Sequence, residues 1–361
     1  MEKADELRLI QEYEPILLFS TDRNGNPENY FPMAAEHFVQ QSGLRQSGSA
    51  SRESRWLLQP GEVTLEDLVR YGGESSENLY LAYAAGDVPE AERLLPALET
   101  KGRYTSDIEG GLTPDETRTV LGTSGLDMPP EVIEKAREKY KEAYGPAHWV
   151  PYPPVYHYAV CDYDDEQYRY IALSYWFLYA FNDWGSHEGI NFHEGDWEMV
   201  CVILDAEEHP QWVGYSAHFR GNTRSWVQRR RADPFLQDVS TVTAARAADG
   251  PARVGNHPVV YVACGSHACY PEQQTFFDKA FERAAGDGLA VGPAKLEMDQ
   301  PWGAPIRLDE EWNRAFRGKW GAPLGAWDGV PVSPAHPKRE EQWRHPAKWA
   351  GKKALRHFRE R

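Results

Sequence analysis

One run in this chain of 361 residues can be placed in a fold by its pattern alone. In Trp197-Glu-Met-Val-Cys-Val-Ile-Leu204, every residue after Glu198 is apolar, at odd and even positions alike. Successive side chains of a strand point to opposite faces, so this pattern predicts a central strand that is covered on both faces. Such a strand needs a packed layer on each side. The sequence therefore predicts a layered protein built around a sheet.

Runs rich in Tyr, Trp, Val and Phe predict further strands on both sides of this one. They cover residues 15–19, 155–163, 168–181, 211–219 and 258–264. The acidic turn between the second and third runs predicts a hairpin. Hydrophobic residues make up 41% of the chain, which is enough to bury a substantial core. We predict a β-rich (α+β) protein whose main element is an antiparallel β-sandwich.

The sequence changes character between residues 43 and 145. Residues 43–54 are mostly Ser, Gly, Arg and Gln, which predicts an exposed loop. Helix-start signals follow, such as Thr64 three residues before Asp67, so residues 62–145 are predicted to form a mostly helical insertion. We expect a single domain over residues 1–335 and a basic helical tail over residues 336–361.

Charge is unevenly distributed along the chain. The formal net charge is −16, yet residues 337–361 hold nine Lys or Arg against three Glu, so this tail carries +6 and the preceding residues carry −22. A polyanion would be repelled over most of that surface, so we expect no nucleic-acid partner. The tail is predicted either to pack on the acidic body or to contact a partner or a membrane surface peripherally.

The sequence also leads to expectations about location and redox state. No run of 18 apolar residues is present, and the first residues lack the basic start and apolar stretch of a secretion signal. We expect no transmembrane segment and a cytoplasmic location. The four cysteines, at positions 161, 201, 264 and 269, are too few for a disulfide framework and are predicted to be reduced, structural thiols.

A dense polar cluster over residues 182–198 separates two hydrophobic strands. Asp196 and Glu198 are two residues apart on one strand and so point to the same face. His193 lies on the approaching loop, and Asp183 ends the preceding strand. Three carboxylates and one imidazole suit Mg²⁺ or Ca²⁺, with Mn²⁺ as an alternative, better than structural zinc. These four side chains are the candidate metal ligands.

Two alternatives to an ion remain open from the residues alone. The carboxylates can instead hydrogen-bond the turns of an acidic loop, with His193 as an ordinary packed side chain. Glu188 and Glu194 can also be considered as paired carboxylates for glycoside hydrolysis, but one sequence does not supply the separation that this reaction needs.

Several segments resemble one known family and occur in its order. They are Tyr13-Glu-Pro-Ile-Leu-Leu-Phe19, Tyr30-Phe-Pro, Tyr175-Trp-Phe-Leu-Tyr-Ala-Phe-Asn-Asp183, His193-Glu-Gly-Asp-Trp-Glu198, Tyr215-Ser-Ala-His218, residues 257–271 and Phe316-Arg-Gly-Lys-Trp-Gly321. Together they resemble the vacuolar protein sorting-associated protein 62 family over roughly residues 10 to 335. This resemblance implies no defined biochemical activity.

A more distant resemblance concerns the polar cluster itself. Asp183 followed by His193-x-x-Asp-Trp-Glu198 is similar to the Gly-His-Arg-His-Asp-Trp-Glu heptapeptide and upstream Asp of the necrosis- and ethylene-inducing-peptide-like cytolysins. That resemblance implies a β-sandwich whose divalent metal, held by Asp183, His193, Asp196 and Glu198, helps to bind a sphingolipid sugar head group. The chain departs from the heptapeptide at Asn191-Phe192, which replaces Gly-His, and at Gly195, which replaces the second His.

Three functional hypotheses follow. In the first, the ion belongs to a recognition module for a polar lipid or glycan head group. In the second, it serves a metal-dependent hydrolase of esters or phosphoesters, in which His267, His218 or Glu188 moves the proton. In the third, the ion only fastens the loop over residues 183–198 to the sandwich. The recognition module is preferred, because no activated nucleophile or separate base stands out.

Overall fold

A computed structural model of the chain describes residues 2–22, 24–46, 55–73, 76, 78–82, 137–138, 141–142, 144, 152–164, 169–183, 193–217, 220–226, 253–276, 282–308, 310–321 and 345–350.

The described elements are mainly strands. The helices are α1 (Lys3–Glu12), α2 (Ala35–Gln41), α3 (Leu65–Arg70), α4 (Glu311–Ala315) and α5 (Pro346–Ala350), with a 3-10 turn at Ala294–Leu296. The strands are β1 (Ile16–Phe19), β2 (Gly43–Gln46), β3 (Arg55–Leu58), β4 (Leu79–Ala82), β5 (His157–Asp164), β6 (Arg169–Asn182), β7 (His193–Leu204), β8 (Pro210–Ala217), β9 (Arg220–Ser225), β10 (Arg253–Val254), β11 (His257–Val262), β12 (Cys269–Tyr270), β13 (Gln274–Phe276), β14 (Glu282–Ala284), β15 (Ala290–Gly292), β16 (Gln300–Pro301) and β17 (Ile306–Arg307).

Most of these strands belong to two six-stranded sheets. Sheet 1 has the order β10-β11-β1-β15-β16, with β12 paired to β11, and sheet 2 has the order β17-β5-β6-β7-β8-β9. Strands β5 to β9 form an antiparallel meander that includes the predicted β5–β6 hairpin. Sheet 1 is mixed, because β1 pairs in parallel with β11 and antiparallel with β15. Sheet 2 is mixed as well, because β17 pairs in parallel with β5. The predicted β-rich sandwich is confirmed, with both sheets mixed.

Strand β6 shows how the layers are built from sequence alternation. Tyr175, Phe177 and Tyr179 pack in the interior between the two sheets, together with apolar side chains of β1 and β11. The alternate residues, such as Trp176 and Leu178, pack on the opposite face of sheet 2 against α2, α3, β2 and β4. All twelve residues of β7 are buried, as its apolar pattern predicts for a central strand.

The exposed loop predicted over residues 43–54 is wrong in its first part. Gly43–Gln46 is the middle strand of a small sheet with the order β3-β2-β4, and Leu44 is fully buried. Arg45 is also buried, with its guanidinium stacked 5.1 Å from the Trp56 ring. The composition favours a loop because this strand depends on its partner strands rather than on its own apolar residues. Residues 47–54 lie outside the described part.

Most of the predicted helical insertion over residues 62–145 lies outside the described residues, so that prediction remains a prediction. Helix α3 begins with the expected capping box, in which the Asp67 N–H donates to the Thr64 hydroxyl and the Thr64 N–H donates to the Asp67 carboxylate. The described part of this stretch also contains a strand, β4, and helical residues around Arg137.

The cysteines form no disulfide bonds, and the start of the C-terminal tail packs on the rest of the protein. All four cysteines are free. In α5, Ala347 is fully buried and Trp349 packs against the same core as α2, so this piece of the tail lies on the body; the rest of the tail is outside the described residues. Among the described helices, none is long and apolar enough to cross a membrane.

Candidate functional site

Strands β6 and β7 place two of the candidate ligands in the interior between the sheets. In their antiparallel register, Tyr179 lies opposite Asp196, and Phe177 lies opposite Glu198. Cross-strand partners share a face, so both carboxylates point to the side on which Tyr179 and Phe177 pack. Asp196 is 5% exposed and Glu198 is 3% exposed. The described residues here form a buried charged cluster rather than an open cleft.

His267 contacts Asp196 from the opposite sheet. The His267 Nδ1–H donates to the Asp196 carboxylate over 3.0 Å, and the same oxygen accepts from the Asn182 amide over 3.2 Å. The imidazole ring stacks on Tyr179 at a centroid distance of 3.9 Å. His267 itself has a left-handed backbone with φ of 57° in the turn after β11, a conformation that costs a non-glycine residue free energy and often marks a functional site.

Glu28 faces the other ring nitrogen of His267. Its carboxylate accepts backbone N–H groups from Asn29, Tyr30 and Gly265, and one of its oxygens lies 3.7 Å from His267 Nε2. Burial alone would raise the pKa of Glu28, but His267 and the backbone donors lower it below its usual value. Burial alone would lower the pKa of His267, but Glu28 and Asp196 raise it to about 9. The histidine is therefore a buried cation between two carboxylates.

Glu198 and His193, the other two candidate ligands on β7, also have hydrogen-bond partners. The Ser216 hydroxyl donates to Glu198 in a short hydrogen bond, and the backbone N–H of Met199 donates to the same hydroxyl. His193 is the first residue of β7 rather than part of a loop, and its Nδ1 lies 3.0 Å from the Gly195 carbonyl oxygen. A carbonyl can only accept, so Nδ1 carries the proton. Burial lowers the pKa of His193, which leaves Nε2 with a lone pair.

Asp183 is held by a cation from the insertion. Arg137 Nε lies 2.9 and 3.0 Å from the two carboxylate oxygens of Asp183, and a terminal guanidinium nitrogen lies 2.8 Å from one of them. Burial raises the pKa of Asp183, and Arg137 only partly opposes this effect. The guanidinium therefore lies where an ion held by Asp183 would bind.

Two glycines allow the C-terminal segment to contact the start of β7. Gly195 has a φ of 61°, and a Cβ at this position would overlap the carbonyl oxygen of Trp320. A Cβ at Gly321 would likewise overlap the carbonyl oxygen of Glu194. No side chain fits at either position. This contact therefore requires glycine at both positions.

The cluster brings several charged side chains together in the interior. Asp183 pairs with Arg137, Glu28 and Asp196 lie against His267, and Glu198 accepts from Ser216. Within the described residues, three buried polar atoms there, namely Tyr179 OH, His267 Nε2 and Asn182 Oδ1, have no hydrogen-bond partner. Buried polar groups are normally satisfied, so this end of the interior is chemically incomplete.

The donor set fits a divalent ion, although its present arrangement does not form a metal site. Oxygen donors and one neutral imidazole match hard divalent cations, and an Nδ1–H bound to a carbonyl is how metal-binding histidines are commonly oriented. In the described part of the chain, however, no three Asp, Glu, His or Cys side chains converge on one point as ligands would. To bind an ion, Asp183 would have to exchange Arg137 for it.

The structure brings some of the predicted site residues close together. Asp196 and Glu198 lie in the buried cluster, His193 begins the same strand, and His267 contacts Asp196 as a neighbour of the predicted ligands. Asp183 pairs with Arg137 and lies close enough to Glu28 and His267 for their charges to affect its pKa. The other candidates, Glu188 and His218, lie outside the described residues.

Sequence reasoning missed Glu28, Arg137 and Ser216. Glu28 follows a turn-rich segment and looks there like any polar turn residue. Arg137 is one of many charged residues in a helical stretch. Only Ser216 had a signal, since it lies two residues before the candidate His218 on a strand that is otherwise mostly apolar.

Comparison with known proteins adds only a faint structural likeness. No protein-family model and no curated protein matches the sequence. Among solved structures, the chain is similar to NLPPya in complex with glucosamine, at 14% identity and a TM-score of 0.23, over 45% of this chain and 57% of that one. It is similar to a mutant of NLPPya at 13% identity and a TM-score of 0.22, over 45% and 56%. The chain spans somewhat more than half of these proteins.

Proposed function

We propose that this chain is a divalent-metal-binding β-sandwich protein of the vacuolar protein sorting-associated protein 62 type. In this proposal, Asp183, His193, Asp196 and Glu198 bind Mg²⁺ or Ca²⁺, or Mn²⁺ in their place, and the ion recognises the polar head group of a lipid or a glycan. The observation that carries the proposal is the burial of Asp196 and Glu198 on one face of β7, with His193 at the start of the same strand. A divalent ion would stabilise these carboxylates in the interior, and hydroxyl or phosphate oxygens of a ligand could fill its remaining coordination positions.

Elemental analysis tests the ion. The wild type, prepared without a histidine tag, is offered Mg²⁺, Ca²⁺ and Mn²⁺ in turn and then dialysed. We expect about one ion per chain in the wild type and none in Asp196→Asn. Asp205→Asn is the matched control, because Asp205 is also buried at the other end of the same strand pair and accepts backbone N–H groups far from the cluster. An ion that survives in Asp196→Asn, or its absence from all three proteins, would refute the metal site.

Titration with head groups tests recognition. We expect glucosamine or vesicles that contain a glycosylated sphingolipid to bind the ion-loaded protein, and chelation to abolish the binding. Vesicles of the same lipid without the sugar are the control. If an ion is present but no head group binds, and its removal lowers only the melting temperature, the ion is structural and the recognition proposal fails.

A metal-dependent hydrolase is the second candidate, and one observation favours it. His267 is oriented by Asp196 through Nδ1, while its Nε2 lies 3.7 Å from Glu28 and makes no hydrogen bond within the described residues. An imidazole fixed through one nitrogen can exchange a proton at the other. In this case His267→Gln would abolish turnover of an ester or phosphoester and leave the metal content unchanged. Turnover that is absent from the ion-loaded wild type would exclude it. The cytoplasmic location and the peripheral membrane contact of the basic tail remain predictions.

A further inference from the structure

Arg137 occupies the position of a competitor for the proposed ion. Its guanidinium engages both oxygens of Asp183, at 2.8 to 3.0 Å, in the forked geometry that binds a carboxylate most strongly. A carboxylate oxygen committed in this way has few lone pairs left for a metal. An ion and the guanidinium cannot both use Asp183 fully.

The position of Arg137 is set by contacts with the body. The Tyr30 hydroxyl donates to the Arg137 carbonyl oxygen over 3.4 Å, and the Tyr30 ring packs edge-on against Phe181, one residue before the last residue of β6. Tyr30 belongs to the same short segment as Glu28, which contacts His267. The backbone at residue 137 is thus fastened next to the cluster, whereas the Arg137 side chain is 32% exposed and can turn outward into solvent.

Resting on the function proposed above, we infer that Arg137 is a built-in cation that competes with the divalent ion for Asp183 and so regulates loading of the site. With Arg137 engaged, Asp183 is neutralised and is not available to the ion. With Arg137 turned outward, the cluster regains a negative charge and one ligand. Anything that draws the Arg137 side chain away from Asp183 would therefore raise metal affinity, and a bound ion would in turn release Arg137.

Ion titration of Arg137→Gln tests the inference directly. Removal of a charge-assisted pair of this kind should tighten Mg²⁺ or Ca²⁺ binding by about tenfold to a hundredfold, measured by calorimetry. Arg137→Lys, which keeps the charge, should stay near the wild type. Arg307→Gln is the matched control, because Arg307 pairs with Glu6 at 3.2 Å with similar side-chain exposures, 29% and 10% against 32% and 15%, but does so far from the cluster.

A double-mutant cycle shows whether the effect passes through Asp183. In an Asp183→Asn background, Arg137→Gln should give no further gain in affinity. Circular dichroism and melting temperature confirm that each variant is folded. If the wild type binds an ion and Arg137→Gln binds it equally or more weakly, the competition is refuted while the metal site stands. If neither protein binds an ion, both the competition and the proposed function are refuted.

Discussion

The two ends of the interior between the sheets use the same residue types in opposite ways. At one end, the hydroxyl of Tyr175 donates to the Ile10 carbonyl, that of Tyr156 to Glu14, and the indole of Trp302 to the Pro15 carbonyl. At the other end, four residues along β6 from Tyr175, the hydroxyl of Tyr179 has no hydrogen-bond partner among the described residues. These three polar side chains at the first end are satisfied within the fold, whereas Tyr179 at the second is not.

The carboxylates at the two ends of the interior also differ, in the direction in which their pKa is shifted. Burial raises the pKa of Glu14, and the hydrogen bond from Tyr156 only partly opposes it. The pKa of Glu28 is instead lowered despite burial, because His267 and backbone N–H groups stabilise the charge. One end tolerates a carboxylate and the other is built around several. Such a concentration of buried charge is expected where a protein binds a ligand rather than where it only packs.

The largest effect should come from closing the gap that Gly195 leaves at the charged end. Gly195→Ala would overlap the Trp320 carbonyl and also strain a backbone with φ of 61°, so we expect a loss of about 4 kcal/mol in the free energy of unfolding. Gly61→Ala is the control, since Gly61 has a φ of 88° with nothing near its Cβ, and it should lose only about 1 kcal/mol. Urea denaturation measures both. Equal losses would mean that the contact with Trp320 is unimportant.

Next in size is the exchange of two glutamates for glutamine, the buried Glu28 and the partly buried Glu14. Glu28→Gln leaves His267 with one carboxylate fewer, so we expect a loss of about 3 kcal/mol at neutral pH. Because the pKa of Glu28 is lowered below 4.5, its contribution is present above that pH and disappears as the pH falls. The variant should therefore lose less stability than the wild type on acidification.

Glu14→Gln should behave in the opposite way. The pKa of Glu14 is raised above 4.5, so its protonated form stabilises the fold below that pH, and this contribution is lost as the pH rises through the raised value. Glutamine resembles the protonated acid, and Glu14→Gln should lose no stability at neutral pH. Denaturation at pH 4 and pH 7 distinguishes the two variants, and parallel pH profiles would contradict the contrast between the two ends.

The smallest effect on stability is expected from removing a tyrosine hydroxyl. Two tyrosines on one face of one strand can be compared directly. Tyr175→Phe should lose about 1 kcal/mol, since the Ile10 carbonyl loses its donor. Tyr179→Phe removes a hydroxyl that has no partner and should leave stability unchanged or raise it slightly. Thermal unfolding with the ion removed measures both. A larger loss for Tyr179→Phe than for Tyr175→Phe would show that the charged end is already complete.

The sequence predicts much of the fold, because strand periodicity is local. The alternation in β6 and the double-sided apolar pattern of β7 are readable from neighbours in the chain, and they determine the central sheet. Strand β2 escapes this reasoning, because Arg45 is buried only through Trp56 and the flanking strands. Its identity as a strand depends on partners that the local sequence does not reveal.

In the site, too, local features can be predicted from the sequence and long-range contacts cannot. The shared face of Asp196 and Glu198 is a local property of one strand and can be predicted. The contacts that decide their chemistry come from Glu28 and Arg137, which lie far from them in sequence, and no local pattern joins these residues to the strand. Charge neutralisation is a property of the assembled cluster, so the ion pair between Arg137 and Asp183 is visible only in three dimensions.

The contact between Gly195 and residues 320–321 also has a consequence for synthesis on the ribosome. Strand β7 emerges from the ribosome long before Trp320 and Gly321 do, so the backbone at residues 194–195 lacks this contact until they arrive. This part of the charged end of the sandwich therefore stays unfinished while most of the chain is already made. Nascent chains halted between the two segments should hold the strands of sheet 2 together at one end and leave the other accessible to chaperones and proteases.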